Sequence, residues 1–301
     1  MPTALPIFGV IVPMLTPFSP TGDVDVMAVR RFIDFLIDHD VAGLFPLGTT
    51  GEGPLLSVEE RFLVAEETVR HTDGRVPVII HTGAISTRET TLLTCHAQAV
   101  GAQAVAIVAP YFYRLSEEAL FDHFAAVARA VPDFPIYLYD NPGVTPNVIT
   151  IPLALRLAEA CPNILGLKDS SGSLDTLEAT AGLKDGRFNT ASGSDALVLA
   201  GQVMGLHACV SGNANYVPEL VVGIVNAVRD GHLDKARSLQ HQLNQIRRAL
   251  GDGRDLSMFK AMCARRGIPI GDVRAPLKQA TSTAVQAAWH ELTMLGVFEP
   301  A

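Results

Sequence analysis

The chain has 301 residues, 48% of them hydrophobic and 18% charged, which provides for a substantial core and excludes global disorder. The 31 Asp and Glu exceed the 23 Lys and Arg, and a formal net charge of -8 repels nucleic-acid phosphates and anionic lipid surfaces. No apolar run reaches the ~18 to 20 residues of a membrane helix. The apolar start, Ala4 to Phe18, is broken by Pro6, Pro13 and Pro17 and reads as a first strand, not a signal peptide. The four cysteines form no CxxC, and the nine histidines show no HxH or HExxH spacing. A soluble, reduced, cytoplasmic protein without a metal site is expected, with no nucleic-acid or membrane partner.

In chain order, short apolar runs predict strands at Gly9 to Leu15, Ala42 to Leu47, Val76 to His81, Ala104 to Ala109, Pro135 to Tyr139, Ile164 to Lys168, Phe188 to Ser192 and His207 to Ser211. Amphipathic stretches lie between them. Val26 to His39 gathers Val29, Phe32, Ile33, Leu36 and Ile37 on one helical face, and Leu120 to Val131 behaves alike. Ser57 with Glu60 forms a capping box, and Ser116 precedes Glu117 and Glu118 as a cap. Glu59-Glu60 and Glu66-Glu67 read as a solvated helix face. Eight β-then-α units with nearly continuous apolar strands predict an α/β fold, a (β/α)8 TIM barrel over residues 1–230. Residues 231–301 read as helices only, His232 to Leu250, Leu256 to Arg266 and Ser282 to Leu295, a C-terminal helical appendage packed on the barrel.

In such a barrel the reacting groups sit at the C-terminal ends of the strands. The second strand runs into Gly48-Thr49-Thr50-Gly51-Glu52, whose hydroxyls and amides suit a small anion such as a carboxylate. The fifth ends at Tyr139-Asp140-Asn141-Pro142, and the sixth ends in Lys168. Only five lysines occur, and Lys184, Lys235, Lys260 and Lys278 read as polar helix or loop residues. A lysine at the end of an apolar strand is partly desolvated, which favours the neutral amine that attacks a ketone to form an imine. The same position also suits a lysine that snorkels to solvent or pairs with an acid. Tyr139, ending the neighbouring strand, is placed to shuttle protons, although a buried tyrosine often only satisfies a backbone carbonyl. His81 ends the third strand and reads as a structural histidine that can approach the pocket.

With these residues the chain resembles the pyruvate-dependent class I aldolase family that contains dihydrodipicolinate synthase, N-acetylneuraminate lyase and 2-keto-3-deoxygluconate aldolase. The resemblance covers almost the whole chain. It is carried by Gly48 to Glu52, Tyr139 to Pro142, Gly166-Leu167-Lys168-Asp169, Ser192-Gly193-Ser194-Asp195 and Ser211-Gly212-Asn213-Ala214-Asn215. It implies that Lys168 forms the Schiff base, that Tyr139 donates and accepts the proton at the bond that breaks, and that Thr49 hydrogen-bonds Tyr139. It further implies that Thr50 binds the pyruvate carboxylate and that Gly193 and Val210 line the pocket. It implies no metal, no organic cofactor, and a homotetramer built as a dimer of dimers.

Departures from the family pattern narrow the substrate. Phe112, in Pro110-Tyr111-Phe112-Tyr113, stands where a second relay tyrosine is expected, so water, Tyr111 or Tyr113 substitutes, or Tyr139 suffices. Val144 stands where dihydrodipicolinate synthases carry an arginine clamp for a carboxylate, and Ala196 follows Asp195 where sialic-acid lyases carry a glutamate. The expected reaction is aldol cleavage or dehydration of a 2-keto-3-deoxy sugar acid, with Asp195, Ser194 and Asn213 as partners for sugar hydroxyls. The alternatives are a 4-hydroxy-tetrahydrodipicolinate synthase condensing pyruvate with an aldehyde and, in another class, a non-catalytic keto-acid-binding paralogue.

Overall fold

A computed structural model describes residues 7–181, 183, 188–253 and 255–298; Lys184 and the opening Ala4 to Pro6 lie outside the described residues. Eight strands form one sheet: β1 (Gly9–Val12), β2 (Gly43–Leu44), β3 (Ile79–His81), β4 (Ala104–Val108), β5 (Ile136–Asp140), β6 (Ile164–Asp169), β7 (Asn189–Ser192) and β8 (Ala208–Val210). Their spatial order is β2-β1-β8-β7-β6-β5-β4-β3, all pairs parallel. A parallel bridge from Leu44 to Val78, with Leu44 N donating to Pro77 O at 3.0 Å, joins the two ends of that order and closes the barrel. The fold is the expected TIM barrel.

Strand side chains alternate between the barrel interior and the helix layer. Ala104, Ala106 and Val108 of β4 and Tyr137 and Tyr139 of β5 belong to the interior cluster with Ile11, Phe45, Ile79 and Val210. Val105 and Ile107, and likewise Ile136 and Leu138, point outward against helices. Both faces are therefore apolar, which is why these strands read as continuous hydrophobic runs. Gly166 of β6 makes room for the bulky Tyr137, because a Cβ there would lie 2.8 Å from the Tyr137 ring and 2.0 Å from Asn189 O.

The helices α1 (Val26–Asp38), α2 (Val58–Thr72), α3 (Thr87–Ala99), α4 (Glu117–Ala130), α5 (Ile151–Ala160), α6 (Leu174–Ala181), α7 (Val198–Val203) and α8 (Pro218–Arg229) surround the barrel. Helix α1 buries Val29, Phe32, Ile33 and Leu36, the face expected from its periodicity. Ser57 and Glu60 form the capping box of α2, and Ser116 caps α4 by accepting from Ala119 N. The acidic face of α2 is less solvated than its sequence suggests. Glu67 is buried between Arg30 and Arg70, and Glu60 pairs with Arg274 at 2.7 Å. Those arginines come from other turns and elements, which charge patterning along one helix does not reveal.

Helices α9 (Leu233–Ala249), α10 (Leu256–Arg265) and α11 (Ser282–Met294) complete the chain. They share a core with the barrel: Leu243, Ile246, Phe259, Met262 and Leu292 are buried in one cluster with Val10, Val12, Tyr216 and Ile224. No helix among the described residues is long and apolar enough to cross a membrane.

Candidate active site

Lys168 and Tyr139 are register partners at the ends of β6 and β5, so both side chains point into the barrel. Lys168 Nζ lies 3.8 Å from the centre of the Tyr139 ring and 4.7 Å from that of Phe45. Burial is the main influence on this amine and lowers its pKa from the ordinary lysine value, against the opposing pull of Tyr139 and Asp195. The Tyr139 phenol is held below its ordinary pKa. Burial alone would raise it, but the Lys168 charge and hydrogen bonds from Thr49, Asn141 and Lys168 together outweigh that. Burial thus favours the neutral amine that imine formation requires, and the phenol beside it is hydrogen-bonded in a way that suits proton transfer.

The Tyr139 hydroxyl is held from two directions. Asn141 Nδ2 donates to it at 2.8 Å, and Thr49 Oγ1 lies 3.4 Å away. Asn141 was not singled out from the sequence; its signal is the Tyr-x-Asn spacing, which leaves the amide beside the hydroxyl at the strand end. His81 stands edge-on to both Phe45 and Tyr139, with ring centroids 6.0 and 5.9 Å away. His81 is 3% exposed, with the Leu47 backbone beside its ring. Burial, then the charges of Arg61 and Lys168, hold it well below its ordinary pKa, so it is a neutral wall behind the phenol.

A cavity of about 1070 Å³ opens above these groups. Thr49, Thr50, Tyr139, Lys168, Gly193, Asp195 and Val210, all singled out from the sequence, line it together. Val144 lines it as well. Asp195 Oδ2 accepts from Asn213 Nδ2 at 2.6 Å, and Ser211 also hydrogen-bonds this carboxylate. Burial raises the Asp195 pKa above the ordinary carboxylate value.

Three expectations are corrected. Asn213 does not face the cavity: it is fully buried and spends its side chain on Asp195 and on the Tyr216 hydroxyl, so it orients Asp195. Tyr111 and Tyr113, offered as substitutes for the missing hydroxyl, are absent from the cavity lining, and Tyr113 and Phe112 are exposed. Lys260 is not a polar surface residue but is 2% exposed, beside Glu52. The C-terminal region also supplies cavity residues that sequence reading missed, among them Arg247 of α9, Asp255 and Ser257 at the start of α10, and Lys278 of the segment before α11. Nothing local marks them, since Arg247 reads as one more charge on an amphipathic helix. Helix α9 further fixes Asp195, because Gln240 Nε2 donates to its carbonyl at 2.9 Å. No group of three or more His, Cys, Asp or Glu suited to a metal ion occurs among the described residues.

A parallel barrel that sets a desolvated lysine against a phenol beneath one polar cavity defines a class I aldolase or lyase. Comparison with known proteins gives the family. The model of the dihydrodipicolinate synthetase family matches residues 6–294, and the chain belongs to that family of pyruvate-dependent Schiff-base lyases. It is 36% identical to a DapA-like lyase of Halobacterium salinarum over 97% of this chain and 95% of the relative. It is also 36% identical to a 4-hydroxy-tetrahydrodipicolinate synthase of Rhizobium meliloti, over 89% of this chain and 91% of the other. Among solved structures, YagE of E. coli K12 in complex with pyruvate superposes with a TM-score of 0.92 at 31% identity, covering 97% of this chain and 99% of that one.

Proposed function

We propose that Lys168 carries the imine and that the substrate is a 2-keto-3-deoxy sugar acid. The observation that carries the reading is the Lys168–Tyr139 pair, an amine 3.8 Å from the phenol ring with the hydroxyl held by Thr49 and Asn141. The neutral amine adds to the C2 carbonyl and water leaves, giving an iminium that acts as electron sink. In aldol cleavage Tyr139 takes the C4 hydroxyl proton, the C3–C4 bond breaks, an aldehyde departs and an enamine remains. Protonation of the enamine at C3 and hydrolysis return pyruvate and Lys168. In dehydration the iminium instead loses a C3 proton to give an enamine that still carries C4, the C4 hydroxyl takes a proton and leaves as water, and hydrolysis of the resulting unsaturated iminium frees Lys168. Thr50 binds the carboxylate, Gly193 and Val210 shape the pocket floor, and Thr49 orients the phenol. Within one protomer Tyr111, Phe112 and Tyr113 lie outside the cavity lining, and the Tyr139 hydroxyl is held by Thr49 and Asn141.

The sugar-acid substrate is supported by Ser194 and Asp195, polar residues on the cavity that Lys168 lines. Such a polar lining suits a hydroxyl-bearing substrate. Val144 in place of an arginine points the same way. A second reading, condensation of pyruvate with a carboxylate-bearing aldehyde, is favoured by relatives that bear the name 4-hydroxy-tetrahydrodipicolinate synthase. Assay of 2-keto-3-deoxy acids for pyruvate release or water loss, beside condensation of pyruvate with that aldehyde, separates the two. Turnover of a sugar acid is expected; condensation alone would establish the second reading.

The homotetramer belongs to the same proposal. It is supported by Phe112, 78% exposed with φ of 80°, and its neighbour Tyr113, 63% exposed, a strained aromatic tip that a second protomer would cover. Light scattering of the purified protein tests it, four protomers being the expected mass.

A further inference from the structure

Lys260, on α10, is among the most deeply buried charges described, and its ammonium sits among three fixed oxygens. Nζ donates to Thr16 O and to Asp272 O, each at 2.8 Å, and lies 2.8 Å from Glu52 Oε1. The ammonium also sits 4.2 Å from the centre of the Phe18 ring. Glu52 closes the Thr49–Thr50 loop. Its side chain is 0% exposed, its backbone is left-handed with φ of 55°, and its other oxygen accepts from Arg274 N at 2.7 Å. Glu52 N donates to Thr49 O at 3.2 Å, and Thr16 Oγ1 donates to Gly51 O at 2.6 Å. An unbroken path of contacts thus runs from Lys260 through Glu52 to Thr49 and the Tyr139 hydroxyl.

A buried ion pair contributes little net stability compared with an apolar pair of the same shape. It does supply direction: oxygens from the loop after β1, the loop after β2 and the segment after α10 must converge on one ammonium. We infer that Lys260 is a positioning residue for the reaction, holding the Thr49–Thr50 loop through Glu52 so that the C-terminal helices form a working part of the active site. This inference rests on the imine chemistry of Lys168 proposed above.

Exchange of the pyruvate methyl protons for deuterium, followed by proton NMR, tests it without the natural substrate, because exchange requires imine formation and then proton transfer at C3. The full chain is compared with K260M, E52Q and the double variant E52Q/K260M, each also trapped with borohydride and unfolded in urea. In K260M the exchange rate at saturating pyruvate is expected to fall at least about 10-fold while Lys168 is still trapped, and the basic limb of its pH profile moves up as the phenol loses support. In the double variant, with no unpaired charge left buried, the urea midpoint is expected to recover while exchange stays slow. If K260M does not fold, E52Q and the double variant carry the comparison. Parental exchange with a parental pH profile in the folded variants, or recovery of exchange together with stability in the double variant, would overturn the positioning role. Absence of trapping in the unsubstituted chain would instead overturn the imine reading, and the inference with it.

Discussion

Tyr139 and Lys168 face each other across the β5–β6 pair, the amine 3.8 Å from the centre of the phenol ring. Strand periodicity turns both side chains inward, and the parallel register brings them level. The ring and the hydroxyl therefore do separable things: the ring packs on Lys168 and the hydroxyl moves protons.

Tyr139→Phe keeps the ring and removes the hydroxyl. Borohydride trapping of pyruvate on Lys168 is expected to persist, while turnover or methyl-proton exchange falls by about 10²–10⁴, the usual contribution of a general acid–base. An unchanged exchange rate in this variant would remove Tyr139 from the mechanism.

Gly193 sits against the lysine stem. A Cβ built there lies 2.0 Å from Ser170 Oγ and 3.1 Å from Lys168 Cε. Gly193→Ala is expected to lower stability by about 1–3 kcal/mol through overpacking and to raise the apparent KM for pyruvate in the trapping reaction. Urea denaturation and the concentration dependence of trapping measure the two effects, and parental values for both would show that this wall has slack.

Asp195→Asn removes the charge of this cavity-lining carboxylate, and the amide oxygen can continue to accept from Asn213. Affinity for a polyhydroxylated keto acid is expected to fall about 10- to 100-fold, the range for a hydrogen bond to a charged group, with pyruvate trapping nearly unchanged. Equal losses for pyruvate and the longer acid would mean that Asp195 serves the lysine and not the sugar.

Asp140 gives a pH dependence with a definite sign. Burial, with the Asp169 charge adding to it, pushes its pKa up to about 6 against the hydrogen bond from Ile149 N. The folded protein thus holds this proton more tightly than the unfolded chain, so the contribution is complete below the ordinary value of 3.8 and is lost as pH rises through about 6. Asp140→Asn keeps the acceptor for Ile149 and removes the buried charge. Urea unfolding is expected to show a gain of about 1–3 kcal/mol at pH 8 that shrinks toward zero at pH 4. A gain of equal size at both values would assign the effect to packing.

The barrel was legible because its strands are buried on both faces and recur between amphipathic helices, so local pattern and global topology agree. The same logic placed Lys168 and Tyr139, each closing a strand, and the capping signals at Ser57 and Ser116 were equally local. What escaped was long-range. Glu67 reads as a surface charge until Arg30 of another helix is brought to it, and Lys260 looks solvated until Glu52, 208 positions earlier, is folded against it. Arg247 is a further case, an ordinary helix charge that tertiary packing turns toward the cavity.

The most direct test of the imine chemistry is borohydride reduction of the protein in the presence of pyruvate, followed by mass spectrometry of its peptides. A reduced pyruvyl adduct on Lys168, and not on Lys260 or the other lysines, is the expected result. An unmodified Lys168, under conditions that label another member of the family, would contradict the proposed mechanism.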